Sequence, residues 1–260
     1  MSRSSQFLTF ARELAEAARL ETLPGSSGDM AARNKGGAAY DPVTDADVAA
    51  EQAMRRLIEA RYPDHGVSGE ELPDRPSQNG LLWSLDPIDG TRSYICGLPT
   101  WVTLIGLLDE GRPSLGAIDV PRLDEFYIGC GDTSFLHSGG RETLLSVSGC
   151  RTVAEARFAA TDPFMFHGED ADKVERIRGK ARVTRFGHDG YAYARLAAGA
   201  LDLVVESGLK TYDYNALIPV IRGAGGVFGD WQGGEAYEGG RVIAAATQQL
   251  FDEALDLLKR

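Results

Sequence analysis

The sequence has 260 residues, 43% of them hydrophobic, enough to bury a core as one large domain or two closely packed halves, which excludes a chain disordered throughout. Against 27 Lys and Arg stand 38 Asp and Glu, a formal charge of −11. That balance excludes a general binder of nucleic acid or anionic membrane and requires any phosphate ligand to find its cations locally.

At the start, Phe7, Phe10, Leu14 and Ala17 recur at helical spacing among Arg12, Glu13, Glu16 and Arg19, which predicts an amphipathic helix and not a secretory leader. Residues 22–40, rich in Gly, Ala and Ser with a Gly36-Gly37 pair, are expected to form a mobile loop. Thr44-Asp45-Ala46-Asp47 has the form of a capping box with Asp47 at its third position, opening a helix whose Ala50, Ala53, Met54, Leu57 and Ile58 share a face and which Pro63 helps to end. Strands are predicted at 81–85, 101–108, 115–120 and 126–130, with a hairpin connection at Gly111-Arg112-Pro113.

From about residue 141 the pattern changes to strands alternating with helices. Strands are expected at 157–160, 182–186 and 201–206, with helices near 171–178 and up to Ala198, the latter closed by Gly199. A helix from Asp213 to about Gly223, strands at 227–228 and 242–246, and a last helix over 248–259 complete the chain. No stretch is long and apolar enough to span a bilayer, and Cys96, Cys130 and Cys150 are widely spaced without a Cys-x-x-Cys pair, which fits free thiols in a cytoplasmic protein.

The chemistry-bearing residues are acids. Asp86-Pro87-Ile88-Asp89-Gly90-Thr91 ends an apolar strand and delivers two carboxylates into a turn stiffened by Pro87 and released by Gly90, a donor set that suits Mg²⁺. The same acids in isolation also suit simple capping of a turn. Glu70 and Glu71 add an adjacent pair, and Asp213 between Tyr212 and Tyr214 stands where a helix begins, a position an ordinary N-cap would also take. Other phosphatase chemistries lack their residues. There is no Cys-x5-Arg loop and no Arg-His-Gly triplet, His65, His137, His167 and His188 are scattered, and Gly223 to Gly226 lacks the Gly-Lys-Thr of a nucleotide loop.

In their order along the chain, Asp41 to Asp47, Gly69-Glu70-Glu71, Asp86 to Thr91, and Tyr212-Asp213 followed by Gly-Ala-Gly-Gly at 223–226 resemble the signature set of the inositol monophosphatase superfamily, with Tyr212 where that family usually has Trp. The resemblance implies a layered αβαβα sandwich of the inositol monophosphatase and fructose-1,6-bisphosphatase type. Residues 1–140 would form a front α+β half carrying most metal ligands, and 141–260 a rear α/β half completing the site within one compact unit. It implies that Glu70, Asp86, Asp89, Asp213 and the Ile88 carbonyl hold two or three Mg²⁺ ions, with Mn²⁺ as a substitute and Li⁺ or Ca²⁺ as inhibitors. It further implies that Glu71 helps place a water on the metal, that Asp47 hydrogen-bonds Thr91 so that the pair orients the attacking water, and that the chain is a homodimer. Amides of Gly90 and Thr91, if a helix begins there, would cradle the phosphate.

Within the superfamily, Leu85 to Leu107 and the stretch from Gly187 to Lys210 are most similar to the histidinol-phosphate phosphatase branch. That substrate carries an amine and an imidazole, so acids beside the phosphate would discriminate it from a neutral polyol, and Asp189 and Glu206 are the candidates, although capping of the following helix would equally account for Asp189 and the end of a strand for Glu206. The expected activity is therefore Mg²⁺-dependent hydrolysis of histidinol phosphate in histidine biosynthesis. The alternatives are inositol monophosphate or another sugar or nucleotide phosphate as substrate, or a metal-binding regulatory protein that has lost catalysis.

Overall fold

The computed structural model describes residues 3–26, 33–34 and 42–260. Most of the expected loop at 22–40, and Asp41 of the early motif, lie outside the described residues. The amphipathic start is helix α1 (Arg3–Thr22), which buries Phe7, Phe10, Leu14 and Ala18. A two-residue pair of strands, β1 (Arg33–Asn34) and β2 (Pro42–Val43), precedes α2 (Asp45–Arg61). The backbone N–H of Thr44 donates to Asp47 Oδ2 at 2.8 Å and the Asp47 backbone N–H turns to the Thr44 side chain, so the predicted capping box is present.

Seven strands form the first sheet in chain order: β3 (Gly66–Gly69), β4 (Leu81–Asp89), β5 (Val102–Asp109), β6 (Arg112–Val120), β7 (Glu125–Cys130), β8 (Thr133–Ser138) and β9 (Arg141–Leu144), with the short helix α3 (Thr91–Ile95) between β4 and β5. Only β3 and β4 are parallel. The β5–β6 connection turns at Glu110 and Gly111, both in the left-handed region, which matches the right-handed twist of a tight hairpin. Sequence reading overlooked β3 and the β8–β9 hairpin, so the front sheet runs past residue 141 to Leu144.

Period-two alternation sends successive side chains to opposite faces of this sheet. Ile105, Leu107, Ala117, Phe126 and Ile128 join Trp83 and Leu85 against α1 and α2, whereas Leu104, Ile118, Val120 and Tyr127 point the other way. There they meet a middle helix layer, α5 (Asp189–Ala197) and α7 (Leu217–Gly223).

The second sheet has the order β11-β10-β12-β14-β13, from β10 (Arg157–Ala160), β11 (Val183–Phe186), β12 (Leu203–Glu206), β13 (Val227–Asp230) and β14 (Val242–Ala245). One face, with Ala159, Val204, Phe228 and Ala244, closes on the middle helices; the other, with Phe158, Leu203, Val205 and Ile243, is covered by α4 (Glu169–Arg178) and α8 (Gln248–Lys259). The layers therefore run helix, sheet, helix, sheet, helix, the αβαβα arrangement implied by the resemblance. The helix expected from Asp213 to Gly223 is two pieces, α6 (Thr211–Tyr214) and α7, separated at Asn215 and Ala216. Asn215 there donates through Nδ2 to the buried Ser84 Oγ at 3.2 Å, tying the break to β4. No helix among the described residues is long and apolar enough to cross a membrane.

Candidate active site

On a regular strand Asp86 and Asp89, three residues apart, would face opposite sides of the sheet. The β4–β5 register prevents this: Asp86 pairs with Leu104 and Asp89 with Val102, so three steps on β4 match two on β5. The irregularity falls at Pro87 and Ile88. Pro87 has no N–H for the ladder, and its carbonyl accepts from the buried Thr103 hydroxyl at 2.7 Å. Ile88 turns into a small apolar cluster with Ala46, Tyr94 and Trp101. The extra residue brings both carboxylates to one side, where Asp213 of α6 meets them: each of the three offers an oxygen within 4.8 Å of the other two.

Asp86 is buried, and its Oδ1 has no hydrogen-bond partner. Burial, then the charges of Glu70, Asp89 and Asp213 and a side-chain hydrogen bond with Glu70, push its carboxyl well above the usual range. Asp89 is raised in the same direction by burial and by Asp189, Asp213 and Glu206, against the N–H of Gly190, which donates to Asp89 Oδ2 at 2.5 Å. Asp213 is pushed up to about 7 by burial and Glu70, opposed by the N–H of Lys210, which donates to its carboxylate at 2.6 Å. Asp213 is thus the third residue of α6 and not its N-cap. Three hard oxygen donors forced together, one with a buried unpaired oxygen, fit a divalent cation such as Mg²⁺, which would remove the repulsion that raises all three.

Glu70 and Glu71 follow the end of β3, and the N–H of Glu70 donates to the carbonyl of Leu85 at 3.2 Å, holding that segment beside β4. Gly90 adopts φ +85°, open to glycine at little cost, and α3 begins at the next residue, as the phosphate-cradle expectation required. One expectation is corrected. Asp47 and Thr91 are not hydrogen-bonded to each other: Thr91 Oγ1 donates to the Ile88 carbonyl at 3.1 Å, and Asp47 Oδ2 accepts from Thr44, leaving Asp47 Oδ1 buried without a partner. Short-range capping captured the Asp47 carboxylate first. Burial still pushes Asp47 up to about 6, with Glu70 adding to the shift, so it borders the acidic cluster.

A cleft of about 70 Å³ opens beside the three-carboxylate cluster, lined by Asp89 and Asp213 together with Asp189, Glu206, Thr161 and Tyr193. Glu206 ends β12, wholly buried; its Oε1 accepts from the N–H and hydroxyl of Thr161 at 2.7 and 2.6 Å, and its Oε2 from the Tyr193 hydroxyl at 2.8 Å. Burial outweighs those bonds and lifts it to about 7. Asp189 begins α5 at φ +45°, its carboxylate close over Gly90, and burial raises it to about 6 against the pull of Arg92. Thr161 and Tyr193 were missed by sequence reading. Neither residue type carries a motif: the parallel pairing of β10 with β12 brings Thr161 to Glu206, and the packing of α5 on β12 brings Tyr193.

The chain matches the inositol monophosphatase family over residues 3–259. It belongs to that family. Members of the inositol monophosphatase family are phosphatases of small phosphate esters and are generally metal-dependent, in keeping with the acidic cluster. Among relatives, the bifunctional phosphatase IMPL2 of Arabidopsis thaliana is 42% identical over an alignment of 234 positions that covers 84% of this chain and 65% of that protein, so the chain spans just under two thirds of that relative's length. A histidinol-phosphatase of Mycobacterium tuberculosis is 35% identical over 224 residues, 84% of each chain. The structure of an inositol monophosphatase from Zymomonas mobilis superposes with a TM-score of 0.87 at 37% identity, covering 100% of both chains. Fold and family are therefore shared with proteins of more than one named substrate.

Proposed function

We propose that this phosphatase hydrolyses L-histidinol phosphate with Mg²⁺ as its cofactor, releasing L-histidinol and phosphate in histidine biosynthesis. The observation that carries the substrate choice is the cleft: Asp189 and Glu206 line it next to Asp89 and Asp213 without belonging to the three-carboxylate cluster. Acids beyond those a metal uses suit a leaving group that carries positive charge, and two carboxyls raised by burial would regain their ionised form beside an ammonium or imidazolium. The similarity to a histidinol-phosphatase supports the same reading.

In this reading Asp86, Asp89, Asp213, Glu70 and the Ile88 carbonyl hold the metal. Bound there, Mg²⁺ supplies neutralisation of the phosphoryl oxygens, a lowered pKa for water and stabilisation of the departing alkoxide. Unaided monoester hydrolysis is so slow that rate enhancements reach ~10²¹, which a lone general base cannot deliver. Thr91 spends its hydroxyl proton on the Ile88 carbonyl, so its oxygen is left as an acceptor that can orient a water through that water's own proton. Glu71 provides a second acceptor for the nucleophile. The amides of Gly90 and Thr91 bind phosphate, and Glu206, fixed by Thr161 and Tyr193, faces the leaving group with Asp189. A cytoplasmic homodimer belongs to the proposal on the family resemblance alone.

The test is phosphate release from a panel of esters with Mg²⁺ titration and a chelator control. Histidinol phosphate should be turned over at the highest kcat/KM, and Asp189→Asn or Glu206→Gln should lower it at least tenfold more than for a neutral ester. Equal losses on both esters would remove these acids from substrate recognition. The full-length likeness to the Zymomonas enzyme favours inositol monophosphate as the second candidate, and preference for it in the same panel would replace the first.

A further inference from the structure

Glu51 lies in the middle of α2, 0% exposed, and a carboxylate so buried must be paired or pay a large desolvation cost. All its partners lead to one place. Its Oε2 accepts from the N–H of Glu71 at 2.8 Å, and the N–H of Leu72 donates to the same carboxylate. Its Oε1 accepts from Arg55 Nε at 2.7 Å, one turn along the helix, and Arg55 passes the contact on: Nη2 donates to the Leu72 carbonyl at 3.0 Å and Nη1 to that of Pro73 at 2.9 Å. On the other side of Glu70, Gly69 is pressed so close that a methyl group there would collide with the Glu51 carboxylate. The two side chains thus grip residues 69–73 from both sides of Glu70, and no step of the reaction uses either charge.

We propose that Glu51 and Arg55 are positioning residues that clamp this segment so that Glu70 stands beside Asp86 ready for the cation. The inference rests on the reading of Glu70 as a metal ligand. Outer partners of this kind commonly change metal affinity by 10–100-fold when removed. The clamp acts through a backbone amide and not through the ligand itself, so the lower end of that range is expected.

The experiment measures Mn²⁺ binding to the substrate-free protein by electron paramagnetic resonance, together with amide hydrogen exchange at Glu71 and Leu72 and KM at saturating metal. Glu51→Gln should weaken Mn²⁺ roughly tenfold, speed exchange at both amides and leave KM within about twofold. Gly69 has no left-handed backbone, so Gly69→Ala should act only by displacing the carboxylate and give the same signature. In the double variant Glu51→Ala/Gly69→Ala the second change should add nothing to the first, because the atom it strikes is gone. Wild-type Mn²⁺ affinity in folded Glu51→Gln or Gly69→Ala overturns the clamp, and if Glu51→Gln does not fold, Gly69→Ala decides alone. A wild-type protein that takes up no Mn²⁺ overturns the metal reading and the clamp's role with it, a failure recognised before any variant is compared.

Discussion

Asp86 is the residue on which the site turns, because it sits at the centre of the repulsion: Glu70, Asp89 and Asp213 all raise it. Its Oδ1 accepts no hydrogen bond from the protein, so exchanging that oxygen for an amide breaks none there. Asp86→Asn should therefore lower Mg²⁺-dependent phosphate release by at least a hundredfold while the far-ultraviolet dichroism stays unchanged. The metal-free variant should also melt no lower than the wild type at pH 8, since one of the mutually repelling charges has gone. Wild-type turnover in this variant would place the chemistry elsewhere.

Between elements, α5 meets the end of β4 through one close contact at the site. The N–H of Gly190, one of the donors that a helix start leaves without an intrahelical partner, is satisfied by Asp89 of the first sheet. An added Cβ at Gly190 would lie 2.5 Å from Asp89 Oδ2 and 2.8 Å from Val102 Cγ2. Gly190→Ala should force α5 away from β4, and we expect a drop of at least tenfold in kcat/KM together with a destabilisation of about 1–3 kcal/mol, read by activity and urea denaturation. At this scale the sequence was most informative where apolar periodicity is strong. The predicted spans of β10 and α8 coincide with the observed ones. The grouping of Asp86 and Asp89 with Asp213, more than a hundred residues away, came from the family resemblance and not from periodicity, and their oxygens do meet. The β8–β9 hairpin escaped because it buries almost nothing on β9, so no alternation marks it, although Gly139 and Gly140 both turn in the left-handed region. The break between α6 and α7 escaped because Asn215 answers to Ser84, 131 residues away. The Asp47–Thr91 bond was drawn from family likeness, and a local competitor, Thr44, took the carboxylate instead.

Across the whole molecule, the acidic cluster joins layers that are held mainly by apolar packing: Asp86 and Asp89 come from the first sheet, Asp213 from α6, and Asp189 and Glu206 from α5 and the second sheet. Without a cation this junction should be a source of strain that depends on pH. Carboxyls raised in the folded state bind protons more tightly there than in the unfolded chain, so their contribution is fully favourable below about pH 4 and is lost as pH rises through their folded values. For Asp189 and Asp47 that value is about 6, and for Asp213 and Glu206 about 7, which sets the window at roughly pH 4 to 7. Asp202 and Asp230 are shifted down by hydrogen bonds to Arg157 and to backbone amides; their contribution is present above the unfolded value and lost only as pH falls below it, outside this window. In a chelator, the melting temperature should fall between pH 5 and pH 7.5 by roughly 5 °C or more. Mg²⁺ should restore it most at the upper end, where the carboxylates are ionised and the cation binds the folded state alone. Melting curves with and without Mg²⁺ across that range decide the matter: a Mg²⁺ effect equal at pH 5 and pH 7.5 would mean that ionisation of these acids and metal binding are not linked.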